Sequence, residues 1–442
     1  MQKKLRAHLK KIYKYSLSAT AAEKIVTENV IYDFSKNLLK IQGKKYNLSK
    51  YKNIYIVGFG KASAALGLAI EKILKAKITD GIIITKYGHS QKLEKIKVCE
   101  AGHPLPDENS IKYTKELLAL VDKANSDDLV IVLISGGGSA LLALPVDESI
   151  SLDDKQKLTK LLLNCGAEIT EINSIRKFIS AVKSGKLSQR IAPADSIALI
   201  ISDVIGDRID IIASGPTADY FETNAEDCLE ILKKYNLLNT TPKSIKNFIT
   251  KNISKKPLRK CEYKKTDNFL ILNNFRVLRA AAEISKKIGY IPLILSSSIN
   301  GETREIAKMH IAIADEIIKN KQRRKKPICL ISGGETTVTV KGSGLGGRNQ
   351  EFVLAALIEI YKRQLSNIAV ASVGTDGTDG PTDAAGAWCC AGDYEKAINV
   401  GLNPQKCLDD NDSYNFFKSI NNLIITGPTG TNIMDLRMIL IK

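Results

Sequence analysis

The chain has 442 residues, about twice the length at which single hydrophobic cores stop growing, so two domains of roughly 200 residues each are expected. Hydrophobic residues make up 44% and charged residues 25%, which excludes a disordered or fibrous protein, and no segment holds ~18 uninterrupted apolar residues, which argues against a membrane partner. The formal charge of +18 comes from lysines scattered over nearly every segment without aromatic interleaving, so it predicts no nucleic-acid partner.

At the N-terminus, Ala7, Leu9, Ile12 and Leu17 form a thin apolar stripe, which predicts a partly packed first helix. The segment lacks the apolar core and cleavage site of a secretory signal, so a cytoplasmic location is expected. From about residue 53, short β-branched runs alternate with helical stretches: NIYIVGFG, DGIIITKYG, LVIVLISGGG, SIALIISDV, NFLILNN, IPLILSSS, PICLISGG and IAVASVGTDG. Such runs read as buried parallel strands of an α/β protein. The lysine-rich stretch 241–266, with Pro242 and Pro257, reads as the connection between an N-terminal domain (1–240), Rossmann-like with a largely parallel sheet, and a C-terminal α/β domain (267–442). The eight cysteines have no zinc-like spacing and are expected to be reduced thiols.

Four segments carry chemistry-bearing residues. In VGFGKASAALG, Gly58 and Gly60 allow a tight strand-to-helix turn, and Lys61 sets a mobile cation at a helix N-terminus suited to anions. In ISGGGSALL, Gly136, Gly137 and Gly138 lie between Ser135 and Ser139, and three glycines in such a turn suit close approach of a ligand to the main chain. No Walker A pattern is present. The stretch 171–219 brings Asn173, Arg176, Lys183 and Lys186, then a strand ending in Ser202-Asp203, with Asp207 beyond it. A carboxylate there suits an oxygen-ligated magnesium or a general base. The fourth region holds Glu335, Arg348, Asn349, Gln350 and Glu351 among glycines, then Asp376, Asp379 and Asp383 in a second glycine-rich loop. Polyanion chemistry with Mg²⁺ fits this set. An EF-hand does not, because the glutamate at its twelfth position is missing.

In their order along nearly the whole chain, GFGKAS, SGGGSALL, NSIRKFISAVKSGKLS, SDVIGDRIDIIASGPT, SGGETTVTVKGSGLGGRNQE and GTDGTDGPTDAAGA resemble the glycerate 2-kinase family, whose C-terminal half is called the MOFRL domain. One departure is Ser184, where the family has a second glycine beside Gly185. The resemblance implies an enzyme moving the γ-phosphoryl group of ATP to D-glycerate, giving 2-phosphoglycerate and ADP, with Lys61, Asp203 and Arg348 as catalytic groups in a cleft between two domains. Phosphate or substrate contacts are expected from Gly58, Gly60, Ser135, Gly136, Gly137, Gly138, Ser139, Arg176, Lys183, Glu335 and Asn349. Magnesium is expected at Asp203, Asp376 or Asp379. The alternative is a nicotinamide-dependent hydroxypyruvate reductase, whose substrate is a near relative of glycerate. Against it stand a badly placed acid, Asp80, which precedes its apolar run where a ribose ligand would end it, and the lack of an evident Arg/His pair among His8, His89, His103 and His310.

Overall fold

The computed structural model describes residues 2–219, 224–253, 264–319 and 327–442. The chain divides into two compact units: an N-terminal unit of residues 26–201 and 207–271, and a C-terminal unit of residues 1–25, 202–206 and 272–442.

The N-terminal unit is built on strands β1 (Asn53–Phe59), β2 (Asp80–Lys86), β3 (Ile96–Ala101), β4 (Asp128–Ile134), β5 (Asp195–Ile201) and β6 (Asp267–Leu272), in the order β3-β2-β1-β4-β5-β6. β1 to β5 pair in parallel, and β4 is buried at every position, as expected of a strand covered on both faces. This is the strand order of doubly wound dinucleotide-type folds, with the order reversing between β1 and β4, where ligands bind in such sheets. A smaller antiparallel sheet, Val30–Asp33, Leu38–Ile41 and Lys44–Asn47, belongs to the same unit.

Helix α2 (Ser63–Leu74) follows β1, and the single turn α3 (Gly138–Leu141) follows β4. Helices α4 (Leu152–Asn164) and α5 (Ile169–Phe178) then form a satellite core through Leu158, Leu162, Ile172 and Ile175. The Ser151 hydroxyl caps α4 by accepting from the Asp154 amide, and Asp153 and Asp154 complement the helix dipole. Helix α6 (Lys243–Asn252) adds Ile245 and Ile249 to this core. The expected connection at 241–266 is therefore partly a packed helix, and residues 254–263 of it lie outside the described residues. NFLIL, expected in the C-terminal domain, is β6, the sixth strand of the N-terminal sheet.

The C-terminal unit holds β7 (Ile291–Ile299), β8 (Ile328–Gly334), β9 (Ile368–Gly374), β10 (Gly386–Cys390), β11 (Leu423–Ile424) and β12 (Asp435–Ile441), in the order β7-β8-β12-β9-β10-β11. Among the described residues β7 and β8 pair in parallel, and β12 runs antiparallel between β8 and β9. The runs expected as strands, β7, β8 and β9, point the same way, and the last segment of the chain returns to the middle of the sheet between β8 and β9. Helices α7 (Asn274–Lys287), α8 (Thr303–Lys319) and α9 (Arg348–Lys362) flank it, and α9 is buried almost all round, through Phe352, Leu354 and Leu357 among others.

Helix α1 (Gln2–Ala19) belongs to this unit and packs against α7 and β9. Its buried stripe is Leu5, Leu9, Ile12 and Tyr13, an i, i+4, i+7, i+8 face. Ala7 is exposed, so the expected stripe was drawn off-centre. Among the described residues no helix is long and apolar enough to cross a membrane.

Candidate active site

In the N-terminal unit β1 and β4 end in register, Phe59 opposite Ile134, so two glycine-rich turns leave the sheet at neighbouring points and bind each other. The Lys61 amide donates to Gly136 O at 2.9 Å, and the Ala62 amide donates to Ser135 Oγ at 3.0 Å. Gly60, with φ +127°, has no room for a side chain, since a Cβ would lie 2.2 Å from Ser135 Oγ. The Ser63 amide donates to Gly60 O at 3.2 Å. The start of α2 therefore does not aim these amides at an anion, a correction to the first motif's reading. Gly58 lies inside β1, where a Cβ would press on Ile83 and Leu133 at 3.0 and 3.1 Å. Its expected phosphate contact is corrected to sheet packing.

What this turn pair offers a ligand is different. A Cβ at Gly137 would lie 3.3 Å from Lys61 Cγ and 2.7 Å from His103 Cδ2, so both side chains sit over the glycine turn. Among the described residues the Gly136 and Gly137 amides meet no acceptor. Behind them the Ser139 hydroxyl lies 2.9 Å from Ser214 Oγ and accepts from Lys183 Nζ at 2.6 Å and, more weakly, from Arg176 Nη2 at 3.4 Å.

Burial drives the Lys183 pKa well below the lysine range, with Arg176 and Lys155 pushing the same way. Burial lowers Arg176 as well. Lys155, on α4, is lowered to about 8 by burial and then by Arg176. No carboxylate pairs with these three cations among the described residues. Ala213 and Ser214 hold left-handed conformations, φ +50° and +67°, kept in place by the Ser184 amide on Ser214 O and the Gly185 amide on Gly215 O. Ser184 itself has φ +55°, the backbone state that the family's glycine takes freely.

In the C-terminal unit Asp435, the first residue of β12, faces Gly334 and Gly374 at the ends of β8 and β9. It is fully buried and accepts from Arg348 Nε at 2.9 Å, Arg348 Nη2 at 3.0 Å, Asn349 Nδ2 at 2.9 Å and Arg437 Nη2 at 2.7 Å. Arg348 Nη1 donates to Glu335 Oε1 at 2.6 Å. Burial works against the charge of Arg348, but Asp435 and Glu335 outweigh it and raise its pKa.

Helix α9 has no side-chain cap at Gly347. Asp379, far along the chain, supplies one by accepting from the Asn349 amide at 3.0 Å, the Gln350 amide at 2.9 Å and Asn349 Nδ2 at 3.2 Å. Burial raises its pKa to about 6, against the pull of those amides and with help from Asp435. With both oxygens so engaged Asp379 serves as a helix cap.

The glycines of 342–347 also serve internal packing: a Cβ at Gly342 or Gly344 would fall 2.4 Å from atoms of Asp410 or Asp412. Asn411 Oδ1 accepts from the Lys341 and Gly342 amides, Asp410 Oδ1 from Ser343, and Asp412 Oδ1 from Leu345. This loop is thus not an open phosphate cradle. Asp376 Oδ1 accepts from the Thr378 amide and hydroxyl, both at 3.1 Å. Asp203 follows β5 in the 202–206 segment of the C-terminal unit, and the turn beside it is closed by Ser202 Oγ accepting from the Val204 amide at 3.3 Å. No group of three potential metal ligands occurs among the described residues.

A family described as a domain of unknown function (DUF4147) matches residues 8–250, and the MOFRL family matches residues 328–435. A D-glycerate 2-kinase of Thermotoga maritima is 42% identical over 95% of this chain and 97% of its own length. The chain belongs to the glycerate 2-kinase family. The crystal structure of a glycerate kinase from Thermotoga maritima matches with a TM-score of 0.85 at 39% identity, covering 100% of both chains. A putative hydroxypyruvate reductase of Agrobacterium vitis is 38% identical over 87% of this chain and 98% of its own.

For this glycerate 2-kinase family member, Gly60, Lys61, Ser135, Gly136, Gly137, Gly138, Ser139, Arg176 and Lys183 gather in one place in the N-terminal unit, and Glu335, Arg348, Asn349 and Asp379 in another in the C-terminal unit. Sequence reasoning missed Asp435, Lys155, His103 and the Asp410-Asn411-Asp412 run. Asp435 had a signal, a lone acid entering the apolar run LRMILI. The other three had none, because their partners are distant in sequence.

Proposed function

We propose that this protein is a cytoplasmic, ATP-dependent glycerate 2-kinase that transfers the γ-phosphoryl group to the 2-hydroxyl of D-glycerate, releasing 2-phosphoglycerate and ADP. The observation that carries the reading is the switch-point turn pair of the N-terminal unit: Lys61 beside two unengaged amides, backed by Ser139, Arg176 and Lys183 with no carboxylate paired to them. Such a surface suits phosphoryl oxygens, because the transfer requires alignment and charge neutralisation more than covalent help from the protein.

In this reading Lys61 and Arg348 neutralise the phosphoryl group, and Asp203 takes the proton from the attacking hydroxyl. Glu335 and Asn349 act through Arg348 and Asp435 by fixing their positions. Magnesium in kinases is held by one or two carboxylates and by the phosphates themselves. Asp203 and Asp376 fit that need, and the ion when bound neutralises nucleotide charge.

Reductase chemistry fits less well. A dinucleotide pyrophosphate rests on the amides of the first turn, yet the amides of Lys61, Ala62 and Ser63 are all engaged within the protein. The acid expected at the end of β2 is absent, since Asp80 opens that strand. The test is a coupled assay: with enolase present and phosphoglycerate mutase absent, ATP and D-glycerate should yield phosphoenolpyruvate at once. A signal that waits for the mutase means transfer to the 3-hydroxyl, and NADH oxidation with hydroxypyruvate means the reductase.

A further inference from the structure

Next to the glycine turns, the N-terminal unit contains a cavity of about 480 Å³. Its lining includes the basic Lys155, Arg176 and Lys183 and the apolar Pro104, Leu105 and Leu163. Lys183 is 4% exposed and reaches Ser139 Oγ at 2.6 Å, so the basic part of the lining continues into the turn over which Lys61 lies.

Three basic side chains gathered without a paired carboxylate oppose one another's protonation, and an anion that enters the cavity stabilises their charged forms. Glycerate brings a single negative charge and three carbons, too little charge for the basic lining and too little volume for the cavity. A nucleoside triphosphate brings several charges on one end and a flat apolar base on the other, matching the basic and the apolar parts of the lining. Leu105 and Leu163 are 66% and 60% exposed, large apolar side chains left at the mouth where a base would cover them.

We propose that this cavity is the nucleotide-donor site, with the phosphates on Lys155, Arg176 and Lys183 and the base against Leu105 and Leu163. The proposal rests on the kinase reading and adds to it the unit that holds the donor and a further phosphate-binding residue, Lys155. The terminal phosphate then points along Ser139 toward Lys61.

The test is calorimetric titration of the full chain with ADP and with a non-hydrolysable ATP analogue, together with KM for ATP and for glycerate. Lys155→Ala removes one phosphate contact, and Leu163→Trp fills the mouth from an exposed position where folding is not at stake. Nucleotide binding should weaken about tenfold to a hundredfold in Lys155→Ala and at least ~10-fold in Leu163→Trp, while KM for glycerate stays within about twofold. If both variants keep wild-type nucleotide affinity and instead raise KM for glycerate, the cavity takes the acid, and the inference falls while the kinase reading stands. Unchanged constants for both substrates also overturn the inference. A wild-type protein that neither binds nucleotide nor phosphorylates glycerate sinks both.

Discussion

Arg348 is held unequally at its two ends: the side chain of Asp435 is 0% exposed and that of Glu335 is 45% exposed. In the proposed role a phosphoryl oxygen displaces the solvated Glu335 carboxylate from Nη1 while Asp435 keeps the guanidinium in place. Lys61 is the corresponding cation of the other unit, positioned by a turn whose amides are locked to Ser135 and Gly136. Each is assigned to charge that develops in the transition state, so Lys61→Ala and Arg348→Ala should each lower kcat by at least ~10²-fold with circular dichroism and melting preserved. Wild-type turnover in either variant refutes the role proposed for that residue. At Asp203 the neighbouring turn is closed by the Ser202 hydroxyl, so capping of that turn does not require the Asp203 carboxylate. Asp203→Asn should be nearly inactive at every magnesium concentration if the group is the base. Partial recovery as magnesium is raised identifies a metal ligand, and near-normal turnover at ordinary magnesium refutes both roles.

Secondary-structure elements here depend on partners far along the chain. Helix α9, which presents Arg348, starts at a glycine and takes its cap from Asp379. Helix α8 places His310 against β8, with Nδ1 2.7 Å from Ile306 O and Nε2 2.8 Å from Ser332 Oγ. Since the carbonyl can only accept, Nδ1 carries the proton and Nε2 accepts from the hydroxyl. Burial holds the pKa of this imidazole down at about 4. As pH falls below the ordinary value near 6.5 the unfolded chain takes up a proton that the folded one refuses. Stability is thus lost with falling pH down to about 4, and is unaffected by this group above 6.5. Between pH 7 and pH 5 the loss should be about 2 kcal/mol. Denaturant titrations of wild type and His310→Gln check it: the difference in pH dependence between the two should have this sign and size, and parallel curves would show that His310 does not titrate as described.

At the scale of the whole chain, the C-terminal unit is discontinuous, because α1 lies on α7 and β9 through Leu5, Leu9 and Ile12. A fragment of residues 272–442 leaves the apolar surface beneath α1 open to water. It should melt at lower temperature and bind more of a hydrophobic dye than the same fragment with residues 1–25 joined by a flexible linker; equal behaviour of the two would show that α1 contributes nothing to this core. Most of the α/β class was legible from the strand-like runs, since period and β-branching are local properties. The glycine-turn, arginine and acid motifs were legible for the same reason: each is a contiguous string. Tertiary structure alone decided that β12 enters the second sheet antiparallel, that Asp379 caps a helix, that the 342–347 glycines pack on Asp410 and Asp412, and that Lys155 joins Arg176 and Lys183 in the lining of one cavity. In each of these cases the partner lies tens of residues or more away along the chain, and it is close packing and the need of every buried N–H and carboxylate for a partner that bring them together.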